Sequence, residues 1–216
     1  MTLPGPLEKL RLSLGRRFLG LGKPKDAGWW NRSYAAGTWD GLTSAQESAR
    51  LRAASWLLDQ HRPPGTPILD VGCGPAPLYP FLLPDAARCW IGTDISAEAI
   101  ERAHAAVPPG TPLFVESAEG PVPPSVAAHG PFGAILFSEV LYYLREPLET
   151  LDRYGEHLLP QGCFVISLWN PPRHRALRWR LRRRFDVVSS VTVAVAKAHP
   201  WVVVVARRRA RPPVAP

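Results

Sequence analysis

Apolar positions along this chain form short runs separated by stretches of helical spacing. Residues 7–21 place Leu7, Leu10, Leu14, Phe18 and Leu21 at helical intervals with basic residues between them. That pattern predicts an amphipathic helix packed on its own domain, with a membrane-surface or targeting role as the alternative. A second helix is predicted over 44–60, with Ala49, Ala53, Trp56 and Leu57 on one face, and HRPPGTP ends it. Beyond it the apolar runs predict strands at Pro67–Val71, Cys89–Asp94, Pro112–Val115, Ala134–Ser138, Cys163–Trp169, Asp186–Val195 and Trp201–Arg207. Helices are predicted near 77–83, 96–106, 147–158 and 173–182. Nearly continuous apolar strands divided by helices imply a mostly parallel sheet covered on both faces. Only about five residues separate the last two strands, so they form a hairpin and one of them runs antiparallel. The predicted fold is an α/β sandwich of seven strands, mostly parallel, with one antiparallel strand near an edge.

Composition changes this picture little. The chain has 216 residues, enough for one well-buried domain, and 46% of them are hydrophobic. The formal charge of +8 is carried almost entirely by arginine, since Lys9, Lys23, Lys25 and Lys197 are the only lysines. Alongside 25 prolines and many alanines, this is a compositional bias. It favours solubility and anionic partners without pointing to nucleic acid. Cys73, Cys89 and Cys163 are odd in number and widely spaced, which argues against a disulfide framework or a metal site. A reducing, cytoplasmic compartment is expected. Arg11, Arg16 and Arg17 interrupt any signal-peptide core near the N-terminus. The most apolar stretch, 187–205, is cut by Lys197, His199 and Pro200, so two strands and a turn are expected there rather than a membrane span.

The chemistry concentrates at ILDVGCGPAP, residues 68–77. An apolar strand ends at Asp70, and Gly72 and Gly74 form a turn that a ligand can approach closely. Asp94 closes the next strand, 22 residues beyond Gly72, where a carboxylate accepts hydrogen bonds from ribose hydroxyls. A dinucleotide turn needs a third small residue at 77, and this chain has Pro77. A carboxylate at Asp70 repels a pyrophosphate and suits a cationic amine. The methyl donor S-adenosylmethionine has that amine, a sulfonium and no phosphate.

On these residues the chain resembles the class I S-adenosylmethionine-dependent methyltransferases, over about Trp29 to Arg207. The resemblance implies a Rossmann-like sandwich and S-adenosyl-L-methionine as cofactor. The family's first motif appears as Asp70-Val71-Gly72-Cys73-Gly74-Pro75-Ala76, with alanine for the third glycine. It implies that Asp94 holds the ribose and that Ile95 flanks the adenine. Ser117-Ala118-Glu119 stands where the family usually has Asp-Ala-Glu, and Ser138, Glu139 and Val140 match the segment under the methionine part of the cofactor. SEVLYYL resembles the nodulation N-methyltransferases, which modify an amino sugar. The family's N-terminal segment covers the cofactor. Residues 1–60 are therefore expected to be a helical lid segment of the same domain, and 61–216 the core. Within it GWWNRSYAAGTWDG is expected to be a covering loop, with Tyr34 and Trp39 as the covers ahead of Trp29 and Trp30. An aromatic face attracts a sulfonium.

Methyl transfer is an in-line displacement that needs alignment and desolvation, and a base where the acceptor is a hydroxyl. Candidates at the cleft are Glu139, Tyr142, Tyr143 and His174, a surface position being the alternative for His174. His61, His104, His129, His157 and His199 show no partner in the sequence. Asn170-Pro171-Pro172-Arg173 is expected to be a strand-ending turn. RHRALRWRLRRR, residues 173–184, holds seven arginines, as a solvated helix or as a phosphate-contacting surface; Trp179 and Phe185 are the candidates beside it for stacking on bases, with burial as the alternative for both. Residues 207–211 are expected to be a solvated tail. These features predict a methyltransferase acting on N or O of a small molecule, such as a sugar or secondary metabolite. The alternatives are an RNA or protein methyltransferase using 173–184, and a non-catalytic S-adenosylmethionine-binding protein. Nucleic acid is the less favoured partner, and oligomeric state is not written in the sequence.

Overall fold

The structure, a computed structural model, describes residues 24–170, 172–195 and 200–209. The helix predicted over 7–21 and His199 lie outside them. Seven strands form one sheet in the order β3-β2-β1-β4-β5-β7-β6. They are β1 (Ile68–Val71), β2 (Trp90–Asp94), β3 (Leu113–Val115), β4 (Phe132–Ser138), β5 (Leu158–Trp169), β6 (Phe185–Val193) and β7 (Trp201–Arg208). Strands β1 to β5 pair in parallel, and β7 runs antiparallel to both β5 and β6. This is the predicted Rossmann-like topology with its antiparallel strand one place in from the edge.

Alternation along the strands sends side chains to two cores. Leu69, Ile135, Phe137, Phe164, Ile166, Val202 and Val204 face one side. There they meet Leu148, Leu151 and Tyr154 of α6 (Pro147–Gly155) and Leu177 and Leu181 of α7 (Arg175–Arg184). Ile68, Ala134, Leu136, Cys163, Val165, Val203 and Val205 face the other side. Their partners are Leu51, Ala54, Leu57 and Leu58 of α2 (Ala45–His61), and Ile100 and Ala103 of α4 (Ala97–Ala106). Each fully buried leucine here contributes about 1.5–3 kcal/mol of transfer free energy. Helix starts follow side-chain caps: Ser44 Oγ accepts from Glu47 N, and Ser96 Oγ from Ala99 N at 3.2 Å.

Four local expectations are corrected. No helix forms over 77–83; the chain makes a 3₁₀ turn at Tyr79–Phe81 and a short helix α3 (Pro84–Arg88). Pro77, Pro80 and Pro84 lack the N–H groups a regular helix needs. The segment 28–41 is no plain loop: α1 (Ala27–Ala35) starts at Asp26, whose Oδ1 accepts from Trp29 N at 2.7 Å. A short helix α5 (Pro124–Ala127) is an addition. Arg207 and Arg208 end β7 rather than start a tail. The expected turn after β5 is present, as a 3₁₀ turn at Pro172–His174. Among the described residues no helix is long and apolar enough to cross a membrane.

Candidate active site

The carboxyl ends of β1, β2, β4 and β5 converge where the strand order reverses, between β1 and β4. This is where open α/β sheets hold ligands. A cavity of about 820 Å³ opens there. Every residue singled out as a candidate from the sequence lines it: Tyr34, Trp39, Asp70, Gly72, Gly74, Asp94, Ile95, Ser117, Ala118, Glu119, Ser138, Glu139, Tyr142 and His174.

The turn after β1 is close-packed. Gly72 has φ +71°, and a Cβ there would stand 2.4 Å from Val140 Cγ2, so no side chain fits. Gly74 N donates to Asp94 Oδ2 at 2.9 Å and Ser96 N to Asp94 Oδ1 at 2.8 Å. Asp94 is thereby fixed with its remaining lone pairs toward the cavity, and burial raises its pKa. Asp70 is buried; the Trp90 indole N–H approaches it outside good hydrogen-bond geometry, which leaves Asp70 Oδ1 and Trp90 Nε1 both unsatisfied. Burial pushes its carboxyl up to about 7; the nearby Trp90 indole works against this, and the Asp94 charge adds to it. A buried acceptor without a donor is costly, so this oxygen calls for a ligand that brings a hydrogen, such as an ammonium. Beyond β3, Ser117 Oγ accepts from Glu119 N at 3.1 Å, and Glu119 Oε1 accepts from Arg145 N at 2.8 Å. The serine that replaces the family's aspartate thus shapes its own turn.

Helix α1 and the turn after it roof the cavity. Trp30 packs against Trp39 at 5.5 Å and edge-on against Tyr143 at 5.1 Å. Trp30 lines the cavity with Tyr34 and Trp39, so it stands level with them, while Trp29 is not part of the lining. Arg102 ties the roof down, donating to Tyr34 O at 2.7 Å and to Asp40 Oδ1 at 3.0 Å. Ser96 Oγ bonds Asn31 Oδ1 at 2.7 Å. The buried Tyr34 phenol has its pKa raised by burial and stays neutral.

Glu139 sits just past β4 in the left-handed region, at φ +62°. Its Oε2 accepts from Tyr142 Oη at 2.6 Å and Trp169 N at 2.9 Å, and its Oε1 from the Ser167 hydroxyl. A non-glycine residue in this conformation is strained and persists where its surroundings hold it. Tyr142 is pushed up in pKa by burial and then by the Glu139 charge, so its hydroxyl is a donor and not a base. His174 is 2% exposed, which overturns the surface reading. Its ring stacks on Tyr142 at 4.9 Å, and its Nδ1 lies 2.6 Å from Trp169 O. A carbonyl only accepts, so Nδ1 carries a hydrogen, the tautomer that in a neutral ring puts the lone pair on Nε2.

Several residues of this wall escaped the sequence reading. Arg50 of α2 is 2% exposed and donates to Ser138 Oγ at 2.5 Å, while Glu47 Oε2 pairs with it at 2.9 Å. Trp169 and Trp201 also line the cavity. The arginines of 175–184 do not. Arg184 pairs with Asp152; of the two aromatics beside it, Trp179 is 58% exposed under the Arg183 guanidinium and Phe185 is buried.

The comparisons agree with this geometry. Residues 45–195 match a family model described as a methyltransferase domain. No curated protein sequence matches. Among solved structures, the N-methyltransferase NodS from Bradyrhizobium japonicum WM9, with S-adenosyl-L-homocysteine, superposes with a TM-score of 0.64 at 19% identity, covering 79% of this chain and 91% of its own. Magnesium protoporphyrin IX methyltransferase ChlM from Synechocystis PCC 6803 gives 0.61 at 14% identity, covering 84% and 97%. The [4+2]-cyclase SpnF gives 0.64 at 13% identity, covering 87% and 98%. These neighbours share the fold while differing in reaction, so the acceptor has to be argued from the residues of the site. With the family model spanning most of the chain, the protein belongs to the methyltransferase-domain family, on the class I sandwich its sequence resembles.

Proposed function

We propose that this protein transfers the methyl group of S-adenosylmethionine to an N or O atom of a small molecule. The observation that carries the reading is the pair of carboxylates at the ends of β1 and β2. Asp94 is oriented by Gly74 and Ser96 to accept from vicinal hydroxyls, and Asp70 presents a buried oxygen with no donor of its own. Both suit an adenosyl ligand with an ammonium, and neither suits a phosphate. Ile95, Ser117, Ala118 and Glu119 then border the adenine, and Ser138 and Glu139 the amino-acid part. Bound there, the cofactor supplies a methyl group already activated by its sulfonium.

The chain's own part is to position, dehydrate and deprotonate. Trp30, Tyr34 and Trp39 exclude water and offer aromatic faces to a cation. Glu139, held by three donors, fixes a polar group of the acceptor, and His174 Nε2 takes a proton from it. The arginines of 175–184 lie outside the lining, which favours a small acceptor over an RNA or protein. S-adenosylhomocysteine, followed by calorimetry, should bind the purified protein, and radiolabelled S-adenosylmethionine should label a member of a metabolite panel. A well-folded protein that binds the nucleoside but labels no metabolite supports the non-catalytic alternative.

A further inference from the structure

We propose that the acceptor carries a basic amine, bound as its ammonium by Glu139; this rests on the methyl-transfer reading above and narrows it. The cavity inverts the charge of the molecule around it. In a chain of net charge +8, the lining holds six carboxyl side chains, Glu47, Asp70, Asp94, Glu116, Glu119 and Glu139, against the cations Lys25 and Arg50. Arg50 is matched by Glu47 at 2.9 Å, and Lys25 Nζ sits 4.6 Å over the Trp29 ring. Asp70 and Asp94 are engaged by the cofactor. Glu116 and Glu119 stand past β3, where they accept from the Ser125 hydroxyl and from Arg145 N.

Glu139 remains. Its three donors, Tyr142, Ser167 and Trp169 N–H, are all neutral, and it makes no ion pair among the described residues. Arg50 reaches the same Ser167 hydroxyl at 3.4 Å but is itself paired with Glu47, so carboxylates outnumber cations at this end of the cavity, which favours a cation there. Tyr142, Tyr143 and Trp169 supply the aromatic faces that an ammonium prefers. A phosphate or carboxylate on the reacting part of the acceptor would face like charge.

An ammonium has no lone pair, so it first gives one proton to Nε2 of His174. The neutral amine then forms the nitrogen–methyl bond as the methyl–sulfur bond breaks, with that electron pair going to sulfur. The products are a neutral thioether, a methylated ammonium and a protonated imidazole that returns its proton to solvent. Charge and atoms balance without a further reactant.

The test titrates protein saturated with S-adenosylhomocysteine with phenethylamine, cyclohexylamine and butylamine, and with the three corresponding alcohols. At least one amine should bind about 10-fold or more tighter than its alcohol, the size of one charge-assisted hydrogen bond. In Glu139→Gln, likewise saturated with S-adenosylhomocysteine, that ratio should fall to within about 2-fold. A ratio near one in the wild type, its persistence in Glu139→Gln, or the absence of amine binding would overturn the amine proposal and leave the cofactor reading standing. Failure of the wild type to bind S-adenosylhomocysteine would instead remove the reading on which it rests.

Discussion

Tyr142 gives its hydroxyl hydrogen to Glu139 Oε2 at 2.6 Å while its ring stacks on His174 at 4.9 Å. One phenol therefore orients the carboxylate through its edge and the imidazole through its face. Tyr142→Phe keeps the stacking and removes the bond. It should lower kcat about 5- to 20-fold and change affinity for S-adenosylhomocysteine by less than about 2-fold, because Trp169 N and Ser167 still hold Glu139. Steady-state kinetics with calorimetry on the same variant separates the two effects.

Asp70 makes cofactor binding depend on pH. Its carboxyl is raised to about 7 by burial, so below that pH the ligand-free protein holds a proton there. A cationic amine binds the ionised form and displaces that proton. Affinity for S-adenosylhomocysteine should thus rise with pH by up to roughly 10-fold per unit below about 7, then level off. Calorimetry in buffers of different ionisation enthalpy should detect about one proton released near neutrality. Asp70→Asn should abolish that release. The same raised value means that ionisation of Asp70 opposes folding. This carboxyl's contribution therefore falls as pH climbs from the ordinary aspartate range to about 7, and the ligand offsets the loss.

Arg102 is the link between roof and body, through Tyr34 O, Asp40 and Glu98. Arg102→Ala should raise hydrogen exchange across Ala27–Ala35 while leaving β4 and β5 protected. It should weaken S-adenosylhomocysteine binding by roughly 3- to 10-fold, the scale of one lost hydrogen bond at a partly exposed position. Exchange unchanged in α1 would show that the roof stands without this tether.

What the sequence disclosed was local. Asp70, Gly72 and Gly74 lie within one strand-end turn, and Asp94 ends the next strand, so spacing alone assembles them. The covering of both sheet faces was legible for the same reason, since the strands are nearly continuous apolar runs. Contacts across long separations were not. Arg50 reaches Ser138 across 88 residues and Ser167 across 117, and nothing around Arg50 distinguishes it from the surface arginines of a basic chain. His174 was legible as a position after β5, but its burial depends on Tyr142 stacking from another loop. The roof was misread in form because glycine and tryptophan suggest a loop, whereas the Asp26 cap and tertiary packing make it a helix.

The central claim is that the turn after β1 and the carboxylate after β2 hold the adenosyl cofactor. Calorimetric titration of S-adenosylhomocysteine into wild type, Asp94→Asn and Asp94→Ala tests it most directly, with circular dichroism confirming that each variant is folded. The account predicts measurable wild-type binding, weakened in Asp94→Ala by about 1–3 kcal/mol, or roughly 5- to 150-fold, as ribose hydroxyls lose their acceptor. Asp94→Asn, which keeps an acceptor oxygen, should fall between. A folded Asp94→Ala variant that binds with wild-type affinity would contradict the account.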